Sequence, residues 1–260
     1  MIDRRKFLSI GLIGISSVAL SSCFLTGYYD DKKHSIIDTT GTWIIKPKFG
    51  WISDSVKGLC TALLSRDDDS LCGIVDLSGR WVIEPKWKRT GGFSELDYFG
   101  AQDAESGLWG IARKDGSWQA EPYLSGKSGF SRIGYFNPHT QIAKACDEAS
   151  DLWGFIDGSG DWVVKPFAKW INYAGDDKIY AASPVDSALY GLIDIEGSWI
   201  AEPKFFVCGA FGKTGYADAI LDETKRSGLI DKQGNWVVEP KFFGISTPNK
   251  SNFIPAKGCT

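Results

Sequence analysis

The feature that most constrains the fold is a register of three residue types that recurs six times. A Trp returns at spacings of 38, 37, 44, 37 and 37 residues, with a Gly two residues before it and a Pro four residues after it. The six repeat tryptophans are Trp43, Trp81, Trp118, Trp162, Trp199 and Trp236. Periods of 20–50 residues are typical of solenoids, propellers and other arrays. The chain is therefore predicted to contain six tandem units of about 37 residues.

Each unit is predicted to be a β-hairpin followed by a third strand. In the fourth unit an apolar run at 153–156 leads into a turn that begins at Asp157 and ends at Gly160. Asp at the first turn position accepts a backbone hydrogen bond, and Gly at the fourth supplies a positive φ. Residues 162–164, Trp-Val-Val, suit a second strand, and Pro166 is expected to end it because Pro cannot donate to a ladder. An apolar stretch around an Ala follows, so we expect an all-β protein preceded by an N-terminal signal helix.

Two arrangements of the six units fit this pattern. A propeller-like ring is favoured because it leaves no unprotected terminal edges, and an open β-solenoid is the alternative. A single hairpin cannot bury its aromatic face alone, so the six repeat tryptophans are predicted to form the core between units. An insertion between about Tyr123 and Thr140 explains the long spacing in the third unit.

The N-terminus is predicted to be an export signal covering residues 1–22. The apolar run from Phe7 to Leu20 is 14 residues long, which is too short for a membrane-spanning helix of about 20 residues. A basic flank before such a run is typical of a signal peptide. Arg4-Arg5, followed by Lys-Phe-Leu, resembles the twin-arginine signal, and a general secretory signal is the alternative.

The end of this segment resembles a lipobox. Leu20-Ser21-Ser22 is followed by Cys23, and in the lipoprotein family this Cys carries the acyl chains. The resemblance implies cleavage before Cys23, a linker at 23–33 and a repeat domain at 34–260. It also implies a membrane partner through the lipid, at the outer membrane or cell surface rather than in the cytoplasm.

The repeat unit resembles the WG repeat of bacterial proteins. Trp109-Gly110 and Trp153-Gly154 carry the Trp-Gly pair, and an Asp-x-x-Gly turn and a later Pro-x-Phe complete the motif. The resemblance covers about residues 34–260. It implies a binding or scaffolding role and supplies no shared catalytic residues.

Composition narrows the function further. The formal net charge is −3 and the chain has two histidines, His34 and His139. Nucleic-acid binding is not expected because there is no basic excess to neutralise phosphates, and no metal site, cofactor or base catalysis is predicted. We expect a non-enzymatic cell-envelope lipoprotein that binds a protein partner, with a cell-wall or carbohydrate-binding module as the alternative.

Two further sets of side chains are candidates for specific roles. Cys60 and Cys72 are predicted to form a disulfide, because they lie twelve residues apart on consecutive strands in an oxidising compartment. Aromatic residues outside the repeat position favour a binding face, since such residues anchor interfaces. These aromatic candidates are Trp51, Trp87, Tyr123 and Trp170.

Overall fold

The computed structural model describes residues 25–28, 33–123, 129–246 and 256–258. These residues form strands and turns and contain no helix, so none of them could cross a membrane as an apolar helix. The predicted all-β fold of tandem repeats is confirmed. The predicted signal helix lies outside the described residues.

Each repeat is built on a first, a second and a third strand in chain order, and the second strand begins at the repeat Trp. The first repeat contains β1 (Leu25–Tyr28), β2 (His34–Ile37), β3 (Trp43–Phe49), β4 (Trp51–Ile52) and β5 (Leu59–Leu63). The second contains β6 (Cys72–Asp76), β7 (Trp81–Thr90) and β8 (Tyr98–Asp103). The third contains β9 (Trp109–Arg113), β10 (Trp118–Ala120), β11 (Phe130–Ile133) and β12 (Ala143–Asp147). The fourth contains β13 (Trp153–Ile156), β14 (Trp162–Asp176) and β15 (Ile179–Pro184). The fifth contains β16 (Tyr190–Asp194), β17 (Trp199–Cys208) and β18 (Ala217–Leu221), and the sixth contains β19 (Ser227–Ile230), β20 (Trp236–Phe242), β21 (Gly244–Ile245) and β22 (Ala256–Lys257).

Antiparallel pairing runs continuously from one repeat to the next. In the second, fourth and fifth repeats the second strand pairs with the first and the third strands, and the third strand then pairs with the first strand of the following repeat. In the third repeat β9 pairs with both β10 and β11, and β11 continues the ladder to β12. Across the described ranges no pairing joins β20 to β4. The ladder is therefore open at both ends, as in the solenoid alternative, and the pairing does not form the ring that was favoured from the repeat number.

Residues preceding β2 pair with it, so β1 rather than β2 is the edge strand at this end of the array. Residues 25–28, predicted to be part of a linker at 23–33, form β1 and pair with β2, from Leu25 opposite Ile37 to Tyr28 opposite His34. An uncovered edge strand offers a row of free N–H and C=O groups to other chains. Residues 25–28 therefore belong to the sheet rather than to a linker.

The second strand does not end at its Pro, contrary to the sequence-based expectation. In the second repeat β6 advances two residues, from Cys72 to Ile74, while β7 covers four, from Trp87 back to Ile83. Pro85 lies in this bulge, where no ladder hydrogen bond is required of its nitrogen. The strand continues to Thr90 beyond it.

The Gly of the first strand makes room for this bulge. A Cβ atom on Gly73 would lie 2.4 Å from the carbonyl oxygen of Ile83, and one on Gly154 would lie 2.3 Å from that of Val164. The same close approach to the second strand, at 2.6, 2.5 and 2.3 Å, occurs at Gly110, Gly191 and Gly228. Because the neighbour is backbone, it cannot move aside as a side chain would, and the position requires Gly.

The turns between first and second strands have the predicted chemistry. Asp76 Oδ1 accepts hydrogen bonds from the backbone N–H groups of Ser78 at 2.8 Å and Arg80 at 3.1 Å. Gly79 closes the turn with a φ of 74°. The hydrogen bond from the Ser78 hydroxyl is the main cause that lowers the pKa of Asp76 to about 2. Asp76 is therefore a turn residue, and its carboxylate is held ionised by its own loop.

The repeat tryptophans join neighbouring repeats, but they are not fully buried as predicted. Five of them pack edge-on against an aromatic ring of the preceding repeat, at centroid distances of 5.3–6.4 Å. The pairs are Phe49–Trp81, Trp87–Trp118, Phe130–Trp162, Phe167–Trp199 and Phe205–Trp236. These five indoles are half-buried, and Trp43 of the first repeat is 37% exposed. One face of each ring stays outside because each lies at the surface of the sheet over the joint between two repeats.

The fully buried residues form one cluster for each joint between repeats. Five apolar clusters follow one another along the chain, and each combines side chains from neighbouring repeats. Phe49, Trp87 and Phe205, six residues after the repeat Trp, are 0–1% exposed and lie at the centres of three of them. The core is thus a row of joints, as expected for a quasi-one-dimensional array.

Candidate functional site

A cavity lies where the third and fourth repeats meet. It has a volume of about 430 Å³, within the range of small-molecule sites. We call it the tyrosine cleft because three tyrosines line it. Its lining residues are Tyr135, Asn137, Pro138, His139, Lys144, Tyr173, Asp177 and Tyr180.

One wall of the tyrosine cleft is the loop between β11 and β12, which belongs to the predicted insertion. Asn137 organises this loop, because its Oδ1 accepts hydrogen bonds from the backbone N–H groups of His139 at 2.8 Å and Thr140 at 3.1 Å. Phe136 is buried and packs edge-on against Tyr98 of the second repeat at 5.1 Å. The loop is therefore anchored, although Tyr135, directly before Phe136, is 51% exposed.

The opposite wall is the tip of the β14–β15 hairpin. Asp177 Oδ1 accepts a hydrogen bond from Asn137 Nδ2 at 2.7 Å and one from the Tyr173 hydroxyl at 3.4 Å. Its other oxygen lies 3.8 Å from His139 Nε2. Asp177 therefore links the two walls by a hydrogen bond, and its carboxylate oxygens can still accept hydrogen bonds from a ligand in the cleft.

The three tyrosines remain neutral donors at physiological pH. Burial is the main cause that raises the pKa of Tyr135, Tyr173 and Tyr180, and the charge of Asp177 adds to it. For Tyr180, which is 6% exposed, the pKa rises to about 12. The ring of Tyr173 meets that of Tyr180 edge-on at 5.9 Å, and 53% of Tyr173 is exposed.

Lys144 forms the floor of the tyrosine cleft. Its ammonium donates a hydrogen bond to the carbonyl oxygen of Ile171 at 2.7 Å and lies 5.0 Å from the centroid of a Trp153 ring. Burial lowers the pKa of Lys144. The cleft therefore combines one cation, one carboxylate, neutral phenols and aromatic faces, an arrangement that can bind a polar ligand by hydrogen bonds and ring stacking.

The predicted binding-face residues do not share one environment. Trp51, Tyr123 and Trp170 are 38%, 67% and 53% exposed and lie in the first, third and fourth repeats. Trp87 is only 1% exposed and belongs to the core, so its assignment to a binding face is wrong. The reason is a second bulge, between residues six and eight after the repeat Trp, which turns position eight outward and leaves position six inward.

The predicted Cys60–Cys72 disulfide is also wrong. Both thiols are free and buried. On the adjacent strands β5 and β6, Cys60 lies opposite Val75 and Cys72 opposite Leu63. This offset of three residues along the strands is about 10 Å, beyond the reach of a disulfide.

The predictions for the N-terminal segment and for a metal site concern other residues. The signal residues Arg4 and Arg5 and the lipidation residue Cys23 lie outside the described residues. Within the described ranges, no three His, Cys, Asp or Glu side chains come together as a metal site would require.

Sequence reasoning identified the insertion but not the other half of the tyrosine cleft. Tyr173, Asp177 and Tyr180 come from the unusually long second strand of the fourth repeat and its hairpin. No spacing signal marked these residues, because the fourth repeat has the regular length of 37 residues from Trp162 to Trp199.

The family comparison agrees with the repeat structure. The profile described as "WG containing repeat" matches residues 35–63, 73–104, 153–166, 190–223 and 228–257. Residues 105–152, which include the insertion, lie outside these matches. No curated protein matches the chain in a sequence search. Because the five matched segments cover more than half of the chain and coincide with its structural repeats, the protein belongs to the WG repeat family.

Proposed function

We propose that this protein is a non-enzymatic binding module that holds a neutral cell-envelope carbohydrate in the tyrosine cleft. The observation that carries the proposal is the pairing of exposed tyrosine faces with the hydrogen-bonding group of Asp177 and Asn137 in one concave site. Sugar rings stack on aromatic faces through their C–H surfaces, and their hydroxyls need both donors and acceptors.

The charges of the tyrosine cleft support a neutral ligand. Lys144 and Asp177 place one cation and one carboxylate in the same lining. An anion attracted by Lys144 would therefore be repelled by Asp177, and a cation attracted by Asp177 would be repelled by Lys144. A hydroxyl can donate to Asp177 and accept from the neutral phenols of Tyr135 and Tyr173.

A protein partner is the second candidate, and a different surface supports it. Val82, Val163 and Val237 follow the repeat Trp directly and are 46–50% exposed. They occupy the same position of the second strand in the second, fourth and sixth repeats, and exposed apolar surface favours protein contacts. The cleft alone is small for this purpose, because a stable protein interface buries about 800 Å² on each partner.

The carbohydrate proposal predicts the effect of removing a cleft aromatic. Tyr173→Ala is expected to weaken binding of a neutral cell-wall oligosaccharide, such as an N-acetylglucosamine oligomer, by about fivefold to tenfold, since one stacking ring and one hydroxyl are lost. Calorimetric titration of the full chain in detergent measures this change.

Tyr123→Ala is the matched control, because Tyr123 is 67% exposed and lies outside the cleft. It should bind the oligosaccharide like the unchanged protein. Equal weakening by both substitutions would contradict a site in the tyrosine cleft. Absence of sugar binding, together with a stoichiometric protein partner that Val163→Asp releases and Tyr173→Ala retains, would favour the second candidate.

We further propose that the module is exported and tethered to the membrane through Cys23. The support is the sequence of residues 1–23 and the position of β1, which starts at Leu25, two residues after this Cys. A lipid at Cys23 would hold the first repeat next to the membrane and leave the sixth repeat at the far end of the array.

The tether predicts the behaviour of Cys23→Ser. This variant is expected to lose labelling by radioactive palmitate and to accumulate as an unprocessed precursor, because the acyl acceptor is absent. Cys208→Ser, which changes a half-buried thiol of the repeats, should still be labelled. Labelling that persists in Cys23→Ser would exclude the lipid anchor.

A further inference from the structure

A second concave region, next to the tyrosine cleft, is lined by positive charge. Two adjoining cavities of about 360 and 170 Å³ share Arg132 and Trp153 in their linings, so they form one continuous groove. We call it the basic groove. Its cations are Lys88, Arg89, Arg132 and Lys169.

These four cations outnumber the carboxylates that line the groove. They come from the second, third and fourth repeats and are all exposed. No ion pair within the described residues engages any of them. Asp151 is the single carboxylate in the lining, and its Oδ1 already accepts a hydrogen bond from the Cys146 thiol at 3.5 Å. Neighbouring like charges repel, and an anion placed between them relieves the repulsion.

The basic groove is particular to the middle of the array. At the position held by Lys88 and Lys169, seven residues after the repeat Trp, the fifth and sixth repeats have Phe206 and Phe243. The nearby cation Arg226 lies 3.6 Å from the centroid of the Phe243 ring. Lys225 and Arg226 at that end of the protein therefore lie over aromatic rings, and no such contact is found for the four exposed cations of the groove within the described residues.

Aromatic and polar groups line the groove between the cations. Trp109 and Trp153, the two tryptophans of complete Trp-Gly pairs, belong to the lining and are each 8% exposed, and Trp170 is 53% exposed. Gln102 Oε1 is buried in the lining and accepts no hydrogen bond within the described residues, while its Nε2 donates to the carbonyl oxygen of Gly107 at 2.7 Å. A ligand hydroxyl is the kind of group that would satisfy this oxygen.

We infer that the basic groove binds an acidic polysaccharide. Its anionic substituents pair with Arg132, Arg89 and the lysines, and a sugar face lies against Trp170. Arg binds carboxylates and sulfates through paired N–H donors. The aromatic and amide groups of the groove can contact the sugar rings and hydroxyls rather than the anionic substituents. A nucleic acid would offer phosphates to the same cations, and the DNA probe in the experiment below separates the two kinds of polyanion. This site is separate from the tyrosine cleft and does not depend on the function proposed for it.

The experiment compares acidic, neutral and nucleic-acid probes on the full chain in detergent. The probes are an oligogalacturonate, a heparin-derived sulfated oligosaccharide, a neutral oligosaccharide of equal length and a single-stranded DNA of equal charge. At least one acidic sugar is expected to bind about tenfold more tightly than the neutral one, and added salt should weaken it. The double variant Arg132→Gln with Lys169→Gln should reduce that affinity about tenfold or more.

The matched control is Lys46→Gln with Lys165→Gln, which removes the same charge from exposed positions outside the groove. It should leave acidic-sugar binding unchanged, as should Tyr173→Ala, whereas the groove variant should leave neutral-sugar binding in the tyrosine cleft intact. The inference is overturned if neither acidic sugar binds, if groove and control variants lose affinity equally, or if the DNA binds more tightly than both acidic sugars.

Discussion

Trp87→Ala is expected to lower the free energy of unfolding by about 3–5 kcal/mol, the usual cost of removing a buried aromatic side chain. Trp87 is 1% exposed and meets the rings of Phe99 at 5.4 Å and Trp118 at 6.4 Å. The substitution leaves a cavity among the buried side chains that join the second and third repeats. Urea unfolding followed by circular dichroism measures the loss.

Trp170→Ala is the matched control for this prediction. Trp170 also lies beyond the Pro bulge of its second strand, but it is 53% exposed, so the expected change is about 0.5 kcal/mol or less. Trp87→Phe should cost much less than Trp87→Ala, because it keeps an aromatic ring and removes an Nε1 that has no acceptor within the described residues. Similar unfolding midpoints for Trp87→Ala and Trp170→Ala would show that Trp87 does not hold the joint together.

Gly154→Ala is expected to destabilise the protein by about 3 kcal/mol, through overpacking rather than a cavity. The added Cβ would lie 2.3 Å from the carbonyl oxygen of Val164 and 2.9 Å from the carbonyl carbon of Lys165. Both atoms belong to the bulge of β14, so relief requires β13 and β14 to separate and weakens their hydrogen bonds. The same urea unfolding measurement applies.

Gly244→Ala provides the comparison for this effect. The nearest heavy atom to a Cβ at Gly244 is the Lys257 Cβ at 4.0 Å, an ordinary contact, and its φ is not in the left-handed region. The expected change is about 0.5 kcal/mol or less. If Gly154→Ala were as stable as Gly244→Ala, the steric explanation of the Trp-Gly pair would be wrong.

The pairing of Gly with Pro illustrates how much of the repeat could be predicted. The sequence showed that Gly73 and Pro85 recur together, and it predicted a strand on either side of the turn. It did not show that the strand passes through Pro85 as a bulge, because Pro alone reads as a strand end. The coupling is visible only when β6 and β7 are paired, since the Gly is opposite the bulge.

The different environments of Trp87 and Trp170 show a similar limit of prediction from sequence. Both looked like extra aromatics on a variable segment, yet one is core and the other is surface. Alignment of Trp87 with Phe49 and Phe205, all six residues after the repeat Trp, would have identified it as an inward position. The outward direction of position eight follows from a second bulge, and sequence alternation alone predicts the opposite.

The tyrosine cleft is the least predictable feature. The insertion pointed to Tyr135 and its neighbours, but Asp177 lies 40 residues after Asn137, and only the packing of the third repeat on the fourth brings them within a hydrogen bond. The buried environment of Lys144 and Tyr180 arises from the same packing, because burial depends on side chains from several strands.

The sequence by itself determined the number of repeats, the strands and the turns, because each Asp-x-x-Gly turn is closed by hydrogen bonds spanning four residues or fewer. Only the tertiary structure decided that the pairing of repeats stays open, which aromatics are inside, that Cys60 and Cys72 are offset, and where the two concave sites lie. These properties depend on strand register and on contacts between repeats. A single residue of bulge changes which face a side chain takes, so local pattern could not specify them.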